Sequence, residues 1–288
     1  MRDNSVEYTF TTPGGVFTFT RVDGAVTRLK DIAFNAQVRA RISDRTQKHG
    51  ARIRKPFKSG GTLNVTLQTR PENGSAAAVE ASRSSLVRCV NSLMLGDGTL
   101  EWTNRGAVDP IVLSGLSLPS DLASSIQNAG WMWNLQLASS KPFAEDATAT
   151  VVDSAPLSAG GGGFTIPLSI PFTITASAGG DLEVNHVGDF PEAYPVLQAF
   201  GPLTNPILIN QLTGERLVFD GSIAAGDYWE IDLWERTVTL NGSTPIRALR
   251  ASQSTWWSVQ LGVNPLQLAG SGYTSATKLR ANMKSSWG

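Results

Sequence analysis

The sequence predicts a mainly β protein with two domains, the first containing one α-helix and the second forming an antiparallel sandwich or jelly roll. Short segments of alternating apolar and polar residues recur along the chain, and alternation with period two is the pattern of a half-buried strand. One segment, Ser75 to Leu95, instead has apolar residues at helical spacing. The 28 glycines and 15 prolines among 288 residues favour turns and short strands over long helices.

The clearest strand signal is the segment from Gly226 to Gly242, which predicts a β-hairpin. Every second position on its two strands is apolar: Trp229, Ile231, Leu233, Val238 and Leu240. Trp234 lies in the predicted turn, and Asn241-Gly242 closes the segment because both residues tolerate positive φ angles. Since side chains alternate between the two faces of a strand, Trp229 is predicted to be a core residue.

The first half of the chain is predicted to contain short strands and one helix. Strands are predicted at residues 8–10, 16–20, 26–38, 62–69, 99–103, 111–118 and 131–137. Ser75 is the expected N-cap of the helix, and Gly96-Asp97-Gly98 is its expected end. The helix carries an apolar stripe typical of a core-facing surface: Val79, Leu86, Val90, Leu93 and Met94. Cys89 beside this stripe is expected to be a structural thiol, because no histidine neighbours it to activate it.

A glycine-rich stretch follows the first half of the chain. Residues 159–163 include four consecutive glycines, which disfavour regular structure. We therefore place the domain boundary near Asp146, with residues 1–146 as the first domain and 147–288 as the second. Besides the hairpin, the second domain has predicted strands at 164–176, 182–187, 194–200, 207–210, 215–220, 256–261, 266–269 and 275–283. Many short strands separated by turns predict an antiparallel sandwich or jelly roll.

Positive charge is concentrated in the first domain, although the formal net charge of the chain is zero. Residues 39–59 are poor in apolar side chains and predict a long protruding loop. Its basic residues are Arg39, Arg41, Arg45, Lys48, Arg52, Arg54, Lys55 and Lys58. Such a segment can direct contact with a neighbouring subunit or can be a solvated loop, and the sequence leaves both alternatives open. Nucleic-acid binding is disfavoured because aromatic residues are not interleaved with the basic ones.

The sequence gives little support for catalysis or metal binding. His49 and His186 lie in different predicted domains and Cys89 is the single cysteine, so we expect no zinc site, no disulfide and no histidine-based triad. Glu230 and Asp232 share a strand face and could act as a carboxylate pair, but neighbouring acids on a strand are usually solvated surface. We expect no cofactor, because the glycine run 160–163 lacks the Lys-Ser/Thr that follows in a phosphate loop. We expect no membrane-spanning segment and no signal peptide, because the required apolar runs are missing.

Tryptophans of the second domain are the best candidates for contact with a ligand. Trp234 in the predicted turn, and one ring of the adjacent pair Trp256-Trp257, are expected to be exposed. An exposed tryptophan can stack on a sugar ring or anchor a protein interface. Carbohydrate contact and protein contact therefore both remain open for Trp234, Trp256 and Trp257.

The motifs of the second domain, in their order, resemble those of a known protein family. They are NHVGDFPEAYPV (185–196), FGPLTNP (200–206), AGDYWEID (225–232), RTVTLNG (236–242) and STWW (254–257). Together they resemble the distal tail proteins, also called minor tail proteins, of siphovirus-type bacteriophages with long non-contractile tails. In the first domain, the segment 133–143 resembles the family's junction segment, although Ser140-Lys141 stand where an acid usually precedes the proline.

The resemblance implies an N-terminal tail-tube-like split β-barrel with a flanking helix, which forms a hexameric ring, and a C-terminal galectin-like β-sandwich. It implies a structural, non-enzymatic virion component at the distal end of the phage tail, made in the host cytoplasm. The implied partners are other copies of the chain, the tail tube protein, a tail-associated lysin or tip hub protein, the tape-measure end and receptor-binding proteins. Phage DNA would pass through the lumen without specific binding, and the basic loop would reach across a subunit boundary. The alternative function is a carbohydrate-binding receptor-recognition module of the tail tip.

Overall fold

The described part of the chain folds into β-strands and one α-helix, which confirms the mainly β fold class. The computed structural model describes residues 6–21, 25–39, 42–44, 51–53, 57–70, 75–103, 110–127, 130–157, 180–246 and 251–288. The glycine-rich stretch 159–163 and the strand predicted at 164–176 lie outside these ranges. The chain divides into two units, one of residues 1–147 with 287–288 and the other of residues 148–286.

The first unit is a β-sheet that closes on itself. Its elements are β1 (Glu7–Thr12), β2 (Gly15–Thr20), β3 (Thr27–Arg39), β4 (Ile42–Asp44), β5 (Ala51–Ile53), β6 (Phe57–Thr69), α1 (Ala76–Ser92), β7 (Gly98–Trp102), β8 (Ile111–Gln127), β9 (Gly130–Ser139) and β10 (Ala144–Asp146). The strands pair in the order β8-β7-β1-β2-β3-β6-β9, and β9 pairs with β8 again. Side chains at alternate positions, such as Phe10, Leu67 and Leu100, form the buried core of this unit.

The helix α1 covers β1 and β2 through most of the predicted stripe. The Ser75 hydroxyl accepts a hydrogen bond from the backbone N–H of Ala78 at 3.2 Å, which confirms the predicted N-cap. Val79, Leu86, Val90 and Leu93 are buried, and Cys89 is fully buried among them. Met94 was wrongly assigned to this stripe, because the helix ends at Ser92 and Met94 lies in the following turn, 79% exposed.

The prediction of a loop over residues 39–59 is wrong for the part that the structure describes. β3 and β6 pair as antiparallel strands from Thr27↔Thr69 out to Arg39↔Phe57. Farther along the chain, β4 and β5 pair with each other from Ile42↔Ile53 to Asp44↔Ala51, as a separate two-stranded sheet. We call these two pairings, β4 with β5 and the Arg39 end of β3 with the Phe57 end of β6, the basic ribbon. Strand pairing is made by backbone groups, so such a ribbon can form where the side chains do not alternate.

A second hairpin, formed by β8 and β9, is also longer than the sequence predicts. The pairing of these strands continues to Gln127↔Gly130, whereas strand character was predicted only to residue 118 and from residue 131. The register shifts between Ser117 and Asp121, around Pro119. A proline has no N–H to donate to a ladder, and a bulge accommodates it. This part of the hairpin was not predicted, because many residues beyond Pro119 are polar and do not alternate with apolar ones.

The second unit is a sandwich of two antiparallel sheets. Its strands are β11 (Thr150–Asp153), β12 (Asp181–His186), β13 (Glu192–Ala193), β14 (Val196–Phe200), β15 (Leu203–Asn210), β16 (Arg216–Val218), β17 (Ser222–Ile223), β18 (Tyr228–Asp232), β19 (Thr237–Leu240), β20 (Thr244–Pro245), β21 (Val259–Gln260), β22 (Gly262–Ser271) and β23 (Leu279–Met283). One sheet has the order β11-β23-β14-β18-β19-β20 and the other β12-β22-β15-β16. A final strand, β24 (Ser286–Trp287), joins the sheet of the first unit beside β10.

The core of the second unit is filled from both sheets. Trp229 and Ile231 of β18 point inward with Leu208 of β15 and Leu268 of β22. Trp229 is 2% exposed, which confirms its predicted place in the core. Its ring lies edge-on to that of Phe219, with the centroids 5.6 Å apart. The finer descriptions, split barrel for the first unit and galectin-like for the second, stay predictions.

An ion-pair cluster joins β11 to β23 at the start of the second unit. Asp153 accepts hydrogen bonds from Arg280 Nε at 2.6 Å and from Lys278 Nζ at 2.7 Å. The Arg280 hydrogen bond, followed by that of Lys278, holds the pKa of Asp153 well below its usual range. The charged form is therefore favoured in the folded state, and the cluster stabilises the fold only while Asp153 is ionised.

We expect Asp153→Asn to lower the free energy of unfolding at neutral pH by up to about 1 kcal/mol, since the cluster is partly exposed to solvent. A depressed folded-state pKa gives stability that is present above the unfolded-state value, about 3.9, and is lost as pH falls toward the folded-state value. The difference between wild type and variant should therefore shrink below about pH 4. Urea unfolding at pH 6 and at about pH 3 measures the difference in the free energy of unfolding between wild type and variant. The control is Asp220→Asn, because Asp220 is exposed. An equal difference at both pH values would contradict this role.

Candidate interaction surfaces

The structure describes three of the eight basic residues predicted to form a subunit interface. Arg39 ends β3, Arg52 lies in β5 opposite Ser43, and Lys58 lies in β6 and is exposed. The other five lie outside the described residues: Arg41, Arg45, Lys48, Arg54 and Lys55. The interface remains a prediction, and its three described residues lie on strands where the sequence predicted a loop.

The two acids of the β18–β19 hairpin have local structural partners. Asp232 Oδ1 accepts hydrogen bonds from the backbone N–H groups of Trp234 at 2.8 Å and Glu235 at 2.9 Å. Glu230 Oε2 accepts one from Gln198 Nε2 at 2.9 Å on the neighbouring strand. Asp232 thus stabilises the turn by the side-chain-to-backbone bonding that is common for aspartate in turns. These contacts account for both carboxylates without a catalytic role.

Trp234 lies at the hairpin turn, where its ring is half-buried against Tyr194. The ring centroids are 5.0 Å apart and the planes meet at 70°, an edge-to-face arrangement. The Tyr194 hydroxyl donates a hydrogen bond to Glu192 Oε2 at 2.7 Å. Burial, and then this bond to Glu192, raise the pKa of Tyr194 above its ordinary range, so the phenol stays protonated as a donor. Trp234 keeps a partly exposed surface and stays a candidate contact.

The adjacent tryptophans do not both qualify as contacts. Trp257 is 4% exposed and belongs to the core, so its assignment as a candidate contact is wrong. Trp256 is partly buried against the same core. The segment around Ser254 is not a strand; the Ser254 hydroxyl donates to the carbonyl of Val218 and accepts from its N–H, both at 2.7 Å. Strand alternation therefore could not decide which ring faces outward.

His186 is a buried structural residue. Its Nδ1 accepts a hydrogen bond from the Gly188 N–H at 3.3 Å, so Nε2 carries the proton and donates to the Phe190 carbonyl at 2.8 Å. In the described ranges, no group of three or more His, Cys, Asp or Glu side chains is arranged to hold a metal ion. A search of the same ranges for a helix with the length and apolar character of a membrane span found none. His49 lies outside the described residues.

One exposed apolar group was missed by sequence reasoning. Val187, Leu261 and Val263 lie around the point where β12 ends and β22 begins, next to the register pair His186↔Gly262. Each of the three side chains is more than half exposed. No sequence signal groups the three residues, because Val187 lies within the motif NHVGD, far from Leu261 and Val263 along the chain. Their proximity depends on the β12–β22 register. Grouped exposed apolar side chains often mark a protein contact.

These features define a chain with a closed sheet and helix in one unit, a β-sandwich in the other and candidate surfaces suited to contact more than to catalysis. Residues 188–280 match the family of the siphovirus-type tail component, C-terminal domain. This match confirms the resemblance to siphovirus distal tail proteins that the motifs of the second domain predict. A tail-component domain supports a place in the virion tail and a structural, non-enzymatic role.

The fold is similar to that of a solved phage protein. SPP1 Dit (gp 19.1), described as a paradigm of hub adsorption apparatus in Gram-positive infecting phages, matches with a TM-score of 0.61 at 9% identity, covering 97% of this chain and 98% of that chain. Structures of the phage P2 baseplate in its activated conformation, with Ca and with Sr, match with TM-scores of 0.45 and 0.42 at 13% and 12% identity. They cover 97% of this chain and 98% and 97% of those chains. No curated protein matches this chain.

Proposed function

We propose that this protein is a structural component of the phage tail tip, forming a hexameric adaptor ring between the tail tube and the tip, baseplate or receptor-binding parts. The observation that carries the proposal is the fold shared with the SPP1 hub protein over 97% of the chain, together with the tail-component domain. In this proposal residues 1–146 form the tail-tube-like ring domain. Residues 147–288 form a galectin-like sandwich.

The basic ribbon supports the proposed ring. A closed ring with head-to-tail contacts joins two different patches on each subunit, so an uneven charge distribution suits it. Lys58 lies on β6, which pairs with β3, and Arg52 lies on β5, which pairs with β4. Opposite charges across such an interface mainly set its register and the rate of encounter. Further partners in this proposal are the tail tube protein, a tail-associated lysin or tip hub protein and the tape-measure end, while DNA passes through the lumen unbound.

The exposed apolar group of the second unit supports a further protein contact. Val187, Leu261 and Val263 would be covered by a tail-tip partner such as a receptor-binding protein. The second candidate function, a carbohydrate-binding receptor-recognition module, is favoured by the partly exposed ring of Trp234. Since that ring already packs edge-on against Tyr194, the structural role has the stronger support.

The mass of the purified chain in solution tests this proposal. Light scattering after size-exclusion chromatography should give about six times the 30.7 kDa chain mass at high protein concentration. A mass that stays at one chain across the accessible concentrations would contradict the ring. If that monomer also bound cell-wall glycans, the carbohydrate-binding module would be favoured.

A further inference from the structure

The outer face of the six-stranded sheet carries a row of polar side chains across five strands. In the strand register, each residue of this row is the partner of the next one across the sheet: Asp153, Arg280, Gln198, Glu230 and Thr239. Their strand neighbours Leu197, Ile231 and Ala281 point into the core, so these five point outward. The row therefore presents carboxylate, guanidinium, amide and hydroxyl groups on one surface.

The planar groups of this row are held in place by one another. Arg280 Nε and Nη2 donate to Asp153 at 2.6 and 3.0 Å, and Gln198 Nε2 donates to Glu230 Oε2 at 2.9 Å. The Asp153 and Arg280 side chains remain about a third exposed. A fixed but accessible polar group binds a ligand at a lower entropic cost than a mobile one.

An aromatic pair lies beside the polar row on the same face. Phe200 and Tyr228 are register partners on β14 and β18, with ring centroids 5.4 Å apart. Lys278 Nζ and Arg280 Cζ each lie 5.4 Å from the Phe200 centroid, so cations cover part of that ring. Tyr228 is partly exposed at the end of the pair, which gives the face an aromatic edge next to hydrogen-bonding groups.

We propose that this face binds a neutral oligosaccharide. Sugar hydroxyls both donate and accept hydrogen bonds, and planar carboxylate, amide and guanidinium groups can each bond more than one of them. Sugar rings also have apolar C–H faces that can pack on an aromatic side chain such as Tyr228. Three carboxylates of this face, Asp153, Glu230 and Asp232, stand against two cations, Arg280 and Lys278, so the charges nearly balance with a small negative excess. This balance favours an uncharged ligand over a polyanion.

This site is separate from the tryptophans predicted from the sequence. Trp257 is buried, and Trp234 lies in the turn beyond β18, packed on Tyr194. It gives the second candidate function, the carbohydrate-binding module, a specific site, and it does not depend on the proposed ring. Variants of this face should leave the assembled mass unchanged, so failure of the sugar site and failure of the ring can be told apart.

The test is calorimetric titration of the full chain with neutral oligosaccharides of glucose, galactose and N-acetylglucosamine. We expect at least one to bind with millimolar or tighter affinity. Gln198→Ala and Tyr228→Ala should each weaken that binding by about tenfold or more, the loss expected when a good contact is removed. Glu230→Gln, which keeps the side-chain shape but loses a charged acceptor, should weaken it as well.

The matched control is Gln267→Ala, because Gln267 lies on β22 of the other sheet with similar exposure. It should bind as wild type does. Thermal unfolding verifies that each variant is folded. Absence of binding by the whole panel would overturn the proposal. So would unchanged affinity in folded Gln198→Ala and Tyr228→Ala, above all if Trp234→Ala abolished binding, since that would place the site at the turn.

Discussion

Replacing Trp229 with alanine is expected to lower the free energy of unfolding of the second unit by about 3–5 kcal/mol, the usual cost of truncating a large buried aromatic side chain. Trp229 is almost fully buried and packs edge-on against Phe219. Its removal would leave a cavity that the paired strands β14, β18 and β19 cannot readily fill. Chemical denaturation followed by circular dichroism measures the change.

Trp234→Ala is the matched control, since it removes the same side chain from a half-buried turn position of the same hairpin. Its cost should be clearly smaller. Similar losses for the two variants would contradict the assignment of Trp229 to the core. So would a Trp229→Ala variant of unchanged stability that had lost affinity for sugar.

Charge reversal on the basic ribbon is expected to prevent ring assembly. The variant changes Arg52, Arg54 and Lys55 to glutamate, of which Arg52 lies in β5 and the other two lie outside the described residues. Like charges across an interface cost several kcal/mol and slow encounter, so the assembled species should disappear at low salt. The thermal unfolding of the single chain should stay nearly the same, because exposed charges contribute little to folding stability.

An equal charge change elsewhere is the control for this variant. Arg83 and Arg88 of α1 and Arg216 of β16 are exposed and can be changed to glutamate together. This control should assemble as wild type does, measured by light scattering at matched concentration. If the ribbon variant assembled normally, the ribbon would not be the subunit contact.

The sequence predicted most reliably the elements whose side-chain pattern has a direct physical cause. Trp229 was assigned to the core because a strand alternates its faces, and Ser75 was assigned to the cap because its hydroxyl can satisfy a free N–H of the first helical turn. Met94 was misassigned because an apolar stripe does not mark the residue at which a helix stops. Trp257 was wrongly kept as a candidate contact because strand alternation puts one ring of the Trp256-Trp257 pair outward without showing which, and the segment around Ser254 is not a strand.

Features that depend on backbone pairing could not be predicted from the sequence. The ribbon of β4 and β5 and the far end of the β8–β9 hairpin carry no clean alternation, so neither was recognised. Trp287 belongs to the first unit, where its Nε1 donates to Asp146 Oδ1 at 2.7 Å, but a two-residue strand leaves no pattern. The polar row from Asp153 to Thr239 requires the register of five strands that lie far apart in sequence.

Electron microscopy of the purified full chain tests the central claim most directly. At a concentration where the large species forms, class averages should show a closed ring of six subunits around a central channel, because head-to-tail contacts that close give a ring. The basic-ribbon variant should show no rings under the same conditions. Single particles of one chain at every concentration, or open fibres without closure, would contradict the proposed adaptor ring.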